Sequence, residues 1–234
     1  MTSLTVAGLQ KTSLIDYPGR VSCVVFLTGC NFRCPYCHNP ELALGRYPAR
    51  IALAELSAFL AKRLTLLDGV VITGGEPTLH AELPVLCRHI RDMGLAVKLD
   101  TNGTHPQMLE ELIREGLLDY VAMDLKTALD TYHPSWCPAG SGASVRQSIQ
   151  VIMSSGVDYE FRTTCAPGFV DESLMARMAV AIRGARRYFL QNFNPAIMLD
   201  PDYCHMRSCR QLSTKEMNAL AEIAAPLVAS CSVR

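Results

Sequence analysis

The sequence has no excess of either charge and no long apolar stretch. Its 234 residues include 22 basic and 22 acidic side chains, with a formal net charge of zero. A neutral chain without a basic run lacks the attraction that binds nucleic acid or anionic membrane surfaces, so we expect neither partner. The longest apolar runs, CVVFL and GVVI, have the length of strands, whereas a membrane-spanning helix needs roughly 20 residues.

The amino-terminal stretch MTSLTVAGLQKTSLIDYPG lacks the basic flank and apolar region of a secretory signal. We therefore expect a cytoplasmic protein. In a reducing compartment, the ten cysteines are expected to be ligands, nucleophiles or small buried apolar residues instead of a disulfide framework. Only 7% of the residues are aromatic, but 49% are hydrophobic, which is enough for the core of one sizeable domain.

After Gly19, short apolar or β-branched runs alternate with segments of helical periodicity. The runs occupy residues 22–29, 69–77, 96–103, 120–126, 159–168 and 187–193. Strict alternation predicts parallel strands joined by right-handed crossovers and covered by helices. We expect an α/β fold, a partial (β/α)6 parallel barrel, with a complete barrel or an open doubly wound sheet as less favoured alternatives.

The domain organisation follows from this pattern. Residues 1–234 are expected to form a single domain, with an amino-terminal extension over 1–20 and a carboxyl-terminal extension over 194–234. A terminal helix is predicted to begin near Ser213 and to bend or end at Pro226. The stretch 127–144, which contains HPSWCPAGSG, is predicted to be one long irregular insertion.

Polar residues collect where the predicted strands end. The segments TGC, TGGEP, DTNG, DLK and RTTCAPG each follow an apolar run. In parallel α/β folds, the carboxyl ends of the strands meet at one edge, where active sites are built. The five segments are therefore predicted to converge on one functional rim.

The segment GCNFRCPYCHNP, residues 29–40, allows three interpretations. Its Cys-Pro-Tyr-Cys part is spaced as a thiol–disulfide redox pair, and the following His38 extends it to a c-type haem attachment pattern. Its three cysteines together are spaced for an iron–sulfur cluster. Because a [4Fe–4S] cluster usually takes four thiolates, three would leave one iron open to a ligand with an amine and a carboxylate. Pro35 and Pro40 predict a non-helical loop.

The alternatives fit less well. A redox pair leaves Cys30 without a role, and c-type haem attachment normally belongs to exported proteins. A zinc knuckle with His38 or Cys23 as fourth ligand stays open, although zinc sites commonly use two separated ligand pairs and no second pair lies nearby.

Two motifs together resemble the radical S-adenosylmethionine (SAM) superfamily: CxxxCxxC at 30–37 and GGEP at 74–77. The aromatic residue before the last cysteine, Tyr36, also fits that family. The segments KTSLIDYPGRVSCVVFLTGC, KLDTNG, MDLK and RTTCAPGFVDE most resemble the activating enzymes of glycyl radical enzymes. Among these, the chain is most similar to the short activating proteins of anaerobic ribonucleoside-triphosphate reductase.

The resemblance implies a specific chemistry. Cys30, Cys34 and Cys37 would bind a [4Fe–4S] cluster and serve catalysis, and the methionine end of SAM would occupy the open iron. The reduced cluster would pass one electron to the sulfonium, which gives methionine and a 5′-deoxyadenosyl radical. This radical would take a hydrogen atom from a glycine of the partner, an anaerobic ribonucleotide reductase. A flavodoxin or ferredoxin is the implied electron donor.

The resemblance also implies roles for individual residues. The implied cofactor contacts are Tyr36, Gly74, Gly75, Glu76, Asp100, Thr101, Asn102, Asp124, Lys126 and Arg162. Within this set, residues 74–76 would hold the methionine amine, and Tyr36 would flank adenine. Asp100 and Asp124, with Thr101, match residues near the cofactor and a monovalent cation in pyruvate formate-lyase activating enzyme. Asp16 would contact the partner.

Every assignment has a structural competitor. Asp100 could cap a helix, Glu76 could form an ion pair, and Arg162 could extend over the rim. Core or surface roles are expected for His80, His89, His105, His133 and His205, and packing for Cys87. Structural roles are also favoured over a second cluster for Cys137, Cys165, Cys204, Cys209 and Cys231. Gln191, Asn192 and Asn194 depart from the family pattern and leave the adenosine contacts there unassigned.

Other functions stay open. The partner could be pyruvate formate-lyase or another glycyl radical enzyme. A small-molecule substrate, as in the deazapurine synthase of queuosine formation, is less favoured because that pattern has a longer gap between its first two cysteines. A non-enzymatic zinc-binding module is the alternative from a different functional class.

Overall fold

The computed structural model describes residues 6–48, 50–203 and 210–234. Cys204, His205 and Cys209 lie outside the described residues. Eight strands form one sheet: β1 Val6–Ser13, β2 Ser22–Leu27, β3 Gly69–Gly74, β4 Ala96–Thr101, β5 Tyr120–Asp124, β6 Asp158–Cys165, β7 Tyr188–Asn192 and β8 Cys231–Val233. The helices are α1 Pro40–Ala43, α2 Leu53–Ala61, α3 Leu83–Asp92, α4 Pro106–Arg114, α5 Ser141–Ser154, α6 Glu172–Ala181 and α7 Thr214–Ala224.

The strands lie side by side in chain order, from β1 to β8. Strands β2 to β7 are all parallel, β8 is parallel to β7, and β1 is antiparallel to β2. Within the described residues, β1 and β8 form the two edges and do not pair with each other. This arrangement confirms the predicted partial barrel and excludes a closed one.

The alternation of buried residues gives the sheet two apolar faces. Val70 and Ile72 of β3 join the main core, together with helix residues such as Leu86 and Ile90. Val71, which points to the opposite face because successive side chains alternate, belongs to a second buried cluster. Helices therefore cover one face, and the other face forms the inside of the partial barrel.

The six predicted strands are confirmed, but β1 and β8 were not predicted. β1 lies in the expected amino-terminal extension and has exposed residues at its centre, so it lacks an apolar run. β8 has three residues and follows a short 3₁₀ turn, Ala225–Leu227. Each adds a strand at one edge of the predicted core.

The helix predictions hold with local changes. α7 begins after Ser213, whose hydroxyl caps Glu216 N, and it ends before the turn that contains Pro226. α5 begins at Ser141, inside the predicted insertion. The expectation of a non-helical cysteine loop is confirmed, because α1 begins only at Pro40, after the last cysteine. Proline is favourable in the first turn, where its missing N–H has no helical acceptor.

The turn between β1 and β2 closes one end of the inner face. Tyr17 is 2% exposed and its ring centroid lies 5.9 Å from that of Tyr120. A Cβ atom on Gly69 would lie 3.0 Å from the Tyr17 ring, so this glycine allows the close approach. Burial raises the pKa of Tyr17 to about 12.

Among the described helices, none is both long and apolar enough to span a bilayer.

We expect Tyr17→Ala to destabilise the protein by about 3–5 kcal/mol, because it leaves a cavity where the turn between β1 and β2 covers the inner face of the sheet. Urea denaturation followed by circular dichroism measures the change. Ile15→Ala is the matched control in the same turn; its side chain is 84% exposed, so a change within about 0.5 kcal/mol is expected. Equal effects of the two substitutions would contradict the buried placement of Tyr17.

Candidate active site

The three cysteines lie on a loop that leaves the carboxyl end of β2. Gly29 N donates to Leu42 O at 2.7 Å, and Cys30 N donates to Ala43 O at 3.1 Å. Cys37 N closes a turn onto Cys34 O at 3.0 Å. The cysteine loop, residues 29–37, is therefore fixed by backbone hydrogen bonds and by the short helix α1.

The two glycines after β3 pack against the start of this loop. Gly75 N donates to Leu27 O, and Glu76 N donates to Gly29 O, both at 2.8 Å. A Cβ atom on Gly75 would lie 2.0 Å from Gly29 O, and one on Gly74 would lie 2.2 Å from Leu27 O. Gly74 also has φ +120°. These positions require glycine because two backbone segments touch there.

Glu76 joins the ends of β3 and β4. Its carboxylate is 1% exposed and accepts hydrogen bonds from Thr101 Oγ1 at 2.7 Å and from Asn102 N at 2.6 Å. The backbone N and the hydroxyl of Thr78 donate to it as well. Burial raises the pKa of Glu76, although these hydrogen bonds act in the opposite direction. Among the described residues, the donors to this carboxylate are uncharged groups of Thr78, Thr101 and Asn102.

Charges of alternating sign line the next three strand ends. Arg162 bridges two carboxylates, with Nη1 3.1 Å from Asp100 and Nε 2.9 Å from Asp124. Lys126 Nζ lies 2.9 Å from Asp124, and Lys98 pairs with Asp100. Burial alone would raise the pKa of both carboxyls, but the neighbouring cations outweigh it and lower both values. The acidic side chains are therefore ionised and held in place.

All predicted cluster and cofactor residues line a single cavity of about 250 Å³. They are Cys30, Cys34, Cys37, Tyr36, Gly74, Gly75, Glu76, Asp100, Thr101, Asn102, Asp124, Lys126 and Arg162. The convergence of the strand ends on one rim is confirmed by this geometry. The cavity brings thiols, carboxylates and cations together in one place.

Further residues line the same cavity without having been predicted there. They are Phe32, His38, Asn39, Ala43, Thr73, Thr164 and Gln191. Thr164 follows Arg162 by two positions in β6, so strand alternation could have placed it on the inner face. For Gln191 the sequence left its contact with adenosine unassigned, and the structure places it on the cavity wall.

Tyr36 carries a buried polar atom that lacks a partner. Within the described residues, its hydroxyl neither donates nor accepts a hydrogen bond. The ring packs edge-on against Phe169, with centroids 4.7 Å apart, and burial raises the pKa of the hydroxyl well above its ordinary value. Buried hydroxyls are normally paired, so this atom beside the cavity is typical of a site that accepts a polar ligand.

The cysteine loop supplies three thiols to the wall of one cavity, which is the donor set of a cluster with three cysteine ligands. In the described part of the chain, no three His, Cys, Asp or Glu side chains converge as the ligands of one ion would. A [4Fe–4S] cube separates its thiolates, because each binds a different iron. Burial raises the pKa of Cys30 to about 11 and that of Cys34 to about 12, so iron binding would displace their protons.

The other described histidines and cysteines make contacts within the fold. His80 hydrogen bonds to Thr28 O, His89 to Ser57, and His133 to Ser135. His105 bonds to the hydroxyls of two threonines at the rim. Cys87 is fully buried on α3, as predicted. Cys165 in β6, Cys231 in β8 and Cys137 in the segment between β5 and α5 are free thiols.

Asp16 does not lie on the cavity. It follows β1, whose Ser13 pairs with Ser22 at the start of β2, whereas the cysteines follow the other end of that strand. Its carboxylate accepts a hydrogen bond from the Ser13 hydroxyl at 2.5 Å. The predicted partner contact would therefore lie about 20 Å from the rim, the length of a six-residue strand.

Residues 24–179 match the family model described as the radical SAM superfamily. The chain belongs to the radical SAM superfamily. It is therefore an enzyme of this class, and members use a [4Fe–4S] cluster with SAM. A Methanocaldococcus jannaschii protein named for the glycyl-radical enzyme activating enzymes, MJ1227, is 34% identical over 93% of this chain and 91% of its own. The pyruvate formate-lyase-activating enzyme of Clostridium pasteurianum is 27% identical over 71% of this chain and 70% of its own.

Solved structures show the same fold at low identity. The SAM-bound SuiB of Streptococcus suis superposes with a TM-score of 0.57 at 12% identity, over 90% of this chain and 51% of its own. TYW1 with a lysine-pyruvate adduct gives a TM-score of 0.57 at 15% identity, over 88% and 72%. These radical SAM structures support the partial barrel.

Arg162→Met is expected to destabilise the apoprotein by roughly 2 kcal/mol at pH 7, because two carboxylates lose their shared cation. Carboxyls whose pKa is lowered by folding stabilise the protein above their ordinary pKa, and this stabilisation is lost as the pH falls. The difference between variant and wild type should therefore shrink below about pH 4. Urea denaturation across this pH range measures it.

The control for this experiment is Arg177→Met. Arg177 pairs with Asp130 at 2.6 Å, but the two side chains are 45% and 66% exposed. A change below about 0.5 kcal/mol, independent of pH, is expected. A difference for Arg162→Met that is constant or grows toward acidic pH would show that the buried charge pairing is wrong.

Proposed function

We propose that this enzyme is an activase that installs a glycyl radical in a partner enzyme. The observation that carries the proposal is one cavity in which the three-cysteine loop meets the acidic and basic strand ends. The likeness to MJ1227 over nearly the whole of both chains supports the same function. The cavity provides ligands for a cluster and both signs of charge for a zwitterionic cofactor.

In this proposal, Cys30, Cys34 and Cys37 bind a [4Fe–4S] cluster through three of its irons. The bound cluster supplies the electron for reductive cleavage of SAM. The close packing of Gly74 and Gly75 keeps the loop against β3, and α1 holds it from the other side. The protein thereby fixes the position of the cluster above the barrel interior.

The remaining cavity residues would hold SAM. SAM carries an amine, a carboxylate and a sulfonium, so its site needs groups of both signs. Asp100 and Asp124 supply fixed negative charge, and Arg162 and Lys126 supply fixed positive charge. Tyr36, whose hydroxyl has no partner among the described residues, is proposed to flank the adenine. Glu76, whose carboxylate also accepts hydrogen bonds from Thr101 and Asn102, would hold the methionine amine together with Gly74 and Gly75.

The proposal also includes a monovalent cation. It would bind between Asp100 and Asp124, as the family resemblance suggests, but Arg162 already bridges these two carboxylates. A cation would have to displace the guanidinium group.

The proposed partner is an anaerobic ribonucleoside-triphosphate reductase, with a flavodoxin or ferredoxin as electron donor in the cytoplasm. Two large apolar side chains beside Asp16, Leu14 and Ile15, are 73% and 84% exposed, which supports a protein contact at this turn. Pyruvate formate-lyase is the second candidate, favoured by the 27% identity to its activase. The 7-carboxy-7-deazaguanine synthase of Aquifex aeolicus matches only 37% of this chain, at 41% identity.

The proposal is tested by incubating the reduced, iron-loaded protein anaerobically with SAM and each candidate partner. Electron paramagnetic resonance should show the doublet of a glycyl radical with the reductase and not with pyruvate formate-lyase. A doublet with pyruvate formate-lyase alone would move the assignment to the second candidate. Cleavage of SAM without a radical on either partner would contradict activation of these enzymes.

Cys34→Ala is expected to lower bound iron sharply and to abolish SAM cleavage, because two thiolates hold a cluster poorly. Iron and sulfide analysis after anaerobic reconstitution measures the first effect, and 5′-deoxyadenosine formation measures the second. Cys87→Ala is the matched control, since Cys87 is also buried but lies on α3 away from the cavity. Loss of iron in both variants, or in neither, would refute the ligand assignment.

Asp16→Ala is expected to leave uncoupled SAM cleavage within about twofold of wild type, because Asp16 lies at the other end of β2 from the cysteines. Radical formation on the partner should fall about tenfold or more if the turn contacts it. Lys11→Ala, on the exposed part of neighbouring β1, is the control. Unchanged partner activation by Asp16→Ala would remove Asp16 from the interface.

A further inference from the structure

The side chain of Asn102 links the cysteine loop to the end of β4. Its Nδ2 donates to Asn31 Oδ1 at 2.9 Å. The Asn31 amide donates to Thr104 Oγ1 at 2.8 Å, and the Thr104 hydroxyl donates to Asn102 Oδ1 at 2.7 Å. Three hydrogen bonds thus close a ring through Asn31, Thr104 and Asn102, and this ring spans the gap between two strand ends.

The ring fixes which end of the Asn102 amide faces the cysteine. Oδ1 accepts from both the backbone N and the hydroxyl of Thr104, so the amide oxygen is committed. The backbone of Asn102 is held from below by Glu76. An amide nitrogen carries two hydrogens, and only one is used by Asn31. The second is available to Cys30 Sγ, which lies 3.9 Å from Nδ2.

The three cysteine sulfurs differ in their surroundings. Cys30 Sγ receives a hydrogen bond from Phe32 N at 3.3 Å in addition to the one from Asn102. Within the described residues, no donor bonds to the sulfur of Cys34 or Cys37. Asn102 is only 6% exposed, so its amide dipole acts on Cys30 with little screening by water.

We propose that Asn102 tunes the cluster: its amide donates to the Cys30 ligand sulfur and raises the reduction potential of the cluster. This inference rests on the cluster assignment of the proposed function. Reduction adds one electron to the cluster, with no bond broken and no proton moved, and makes the thiolate-bound cluster more negative. A hydrogen-bond donor aimed at a ligand sulfur stabilises that more negative state.

The decisive variants are Asn102→Ala and Asn102→Leu, because both remove the donor and the second also retains bulk. Thr104→Val is the matched control: it removes the hydroxyl bonds of the ring, but the backbone N of Thr104 still donates to Asn102 Oδ1 and keeps the amide oriented. Each protein is reconstituted with iron and sulfide, and its cluster content is measured. Its reduction potential is then determined without SAM, by mediated titration followed through the electron paramagnetic resonance of the reduced cluster.

The clusters of both Asn102 variants should be harder to reduce than that of the wild type. We expect the equilibrium constant for reduction to be about threefold lower, which corresponds to a reduction potential lower by about 28 mV, at 59 mV per tenfold for a one-electron couple. Thr104→Val should match wild type. Unchanged potentials in Asn102 variants that hold full clusters would overturn the proposal. An equal shift of the reduction potential in Thr104→Val would overturn the proposal and assign Asn102 to holding the loop. Loss of the cluster in the two Asn102 variants, but not in Thr104→Val, would lead to the same conclusion. Absence of a cluster in the wild type would instead remove the proposed function.

Discussion

The backbone of the cysteine loop lies directly on the end of β3, with no side chain between them. Gly74 and Gly75 permit this contact, because a Cβ atom at either position would overlap a carbonyl oxygen of β2 or the loop. Two backbone hydrogen bonds then hold the segments together. The side chains that reach the cavity from β4, β5 and β6 lie beside this backbone contact between β3 and the cysteine loop.

Electrostatics organises the other side of the cavity. Lys98, Asp100, Arg162, Asp124 and Lys126 form a chain in which each charge faces one of opposite sign. Such a chain keeps partly buried carboxylates ionised without a bound metal and limits how its members can rotate. Glu76 is held differently, by four hydrogen bonds from uncharged donors. The site therefore has its polar groups arranged before a cofactor enters, which lowers the cost of ordering them on binding.

Much of this could be predicted from the sequence, because strand periodicity locates the strand ends and parallel topology brings them together. The hydrogen-bond and ion-pair partners of each side chain could not be predicted. Lys98 reads as an ordinary strand lysine, yet it is 1% exposed on the inner face. β1 and β8 lie at the edges of the sheet, where half-exposed or very short strands leave no apolar run. Asn102 was predicted at the site, but its bonds to Asn31 and Thr104 depend on tertiary contacts.

The central claim is that three thiolates hold a cube of four irons and leave one iron free for SAM. Mössbauer spectroscopy of the ⁵⁷Fe-loaded protein, recorded with and without SAM, tests it most directly. The account predicts that one iron in four changes its isomer shift when SAM is added, because its coordination number rises. Spectra that are identical with and without SAM, from a protein with a full cluster, would contradict the account.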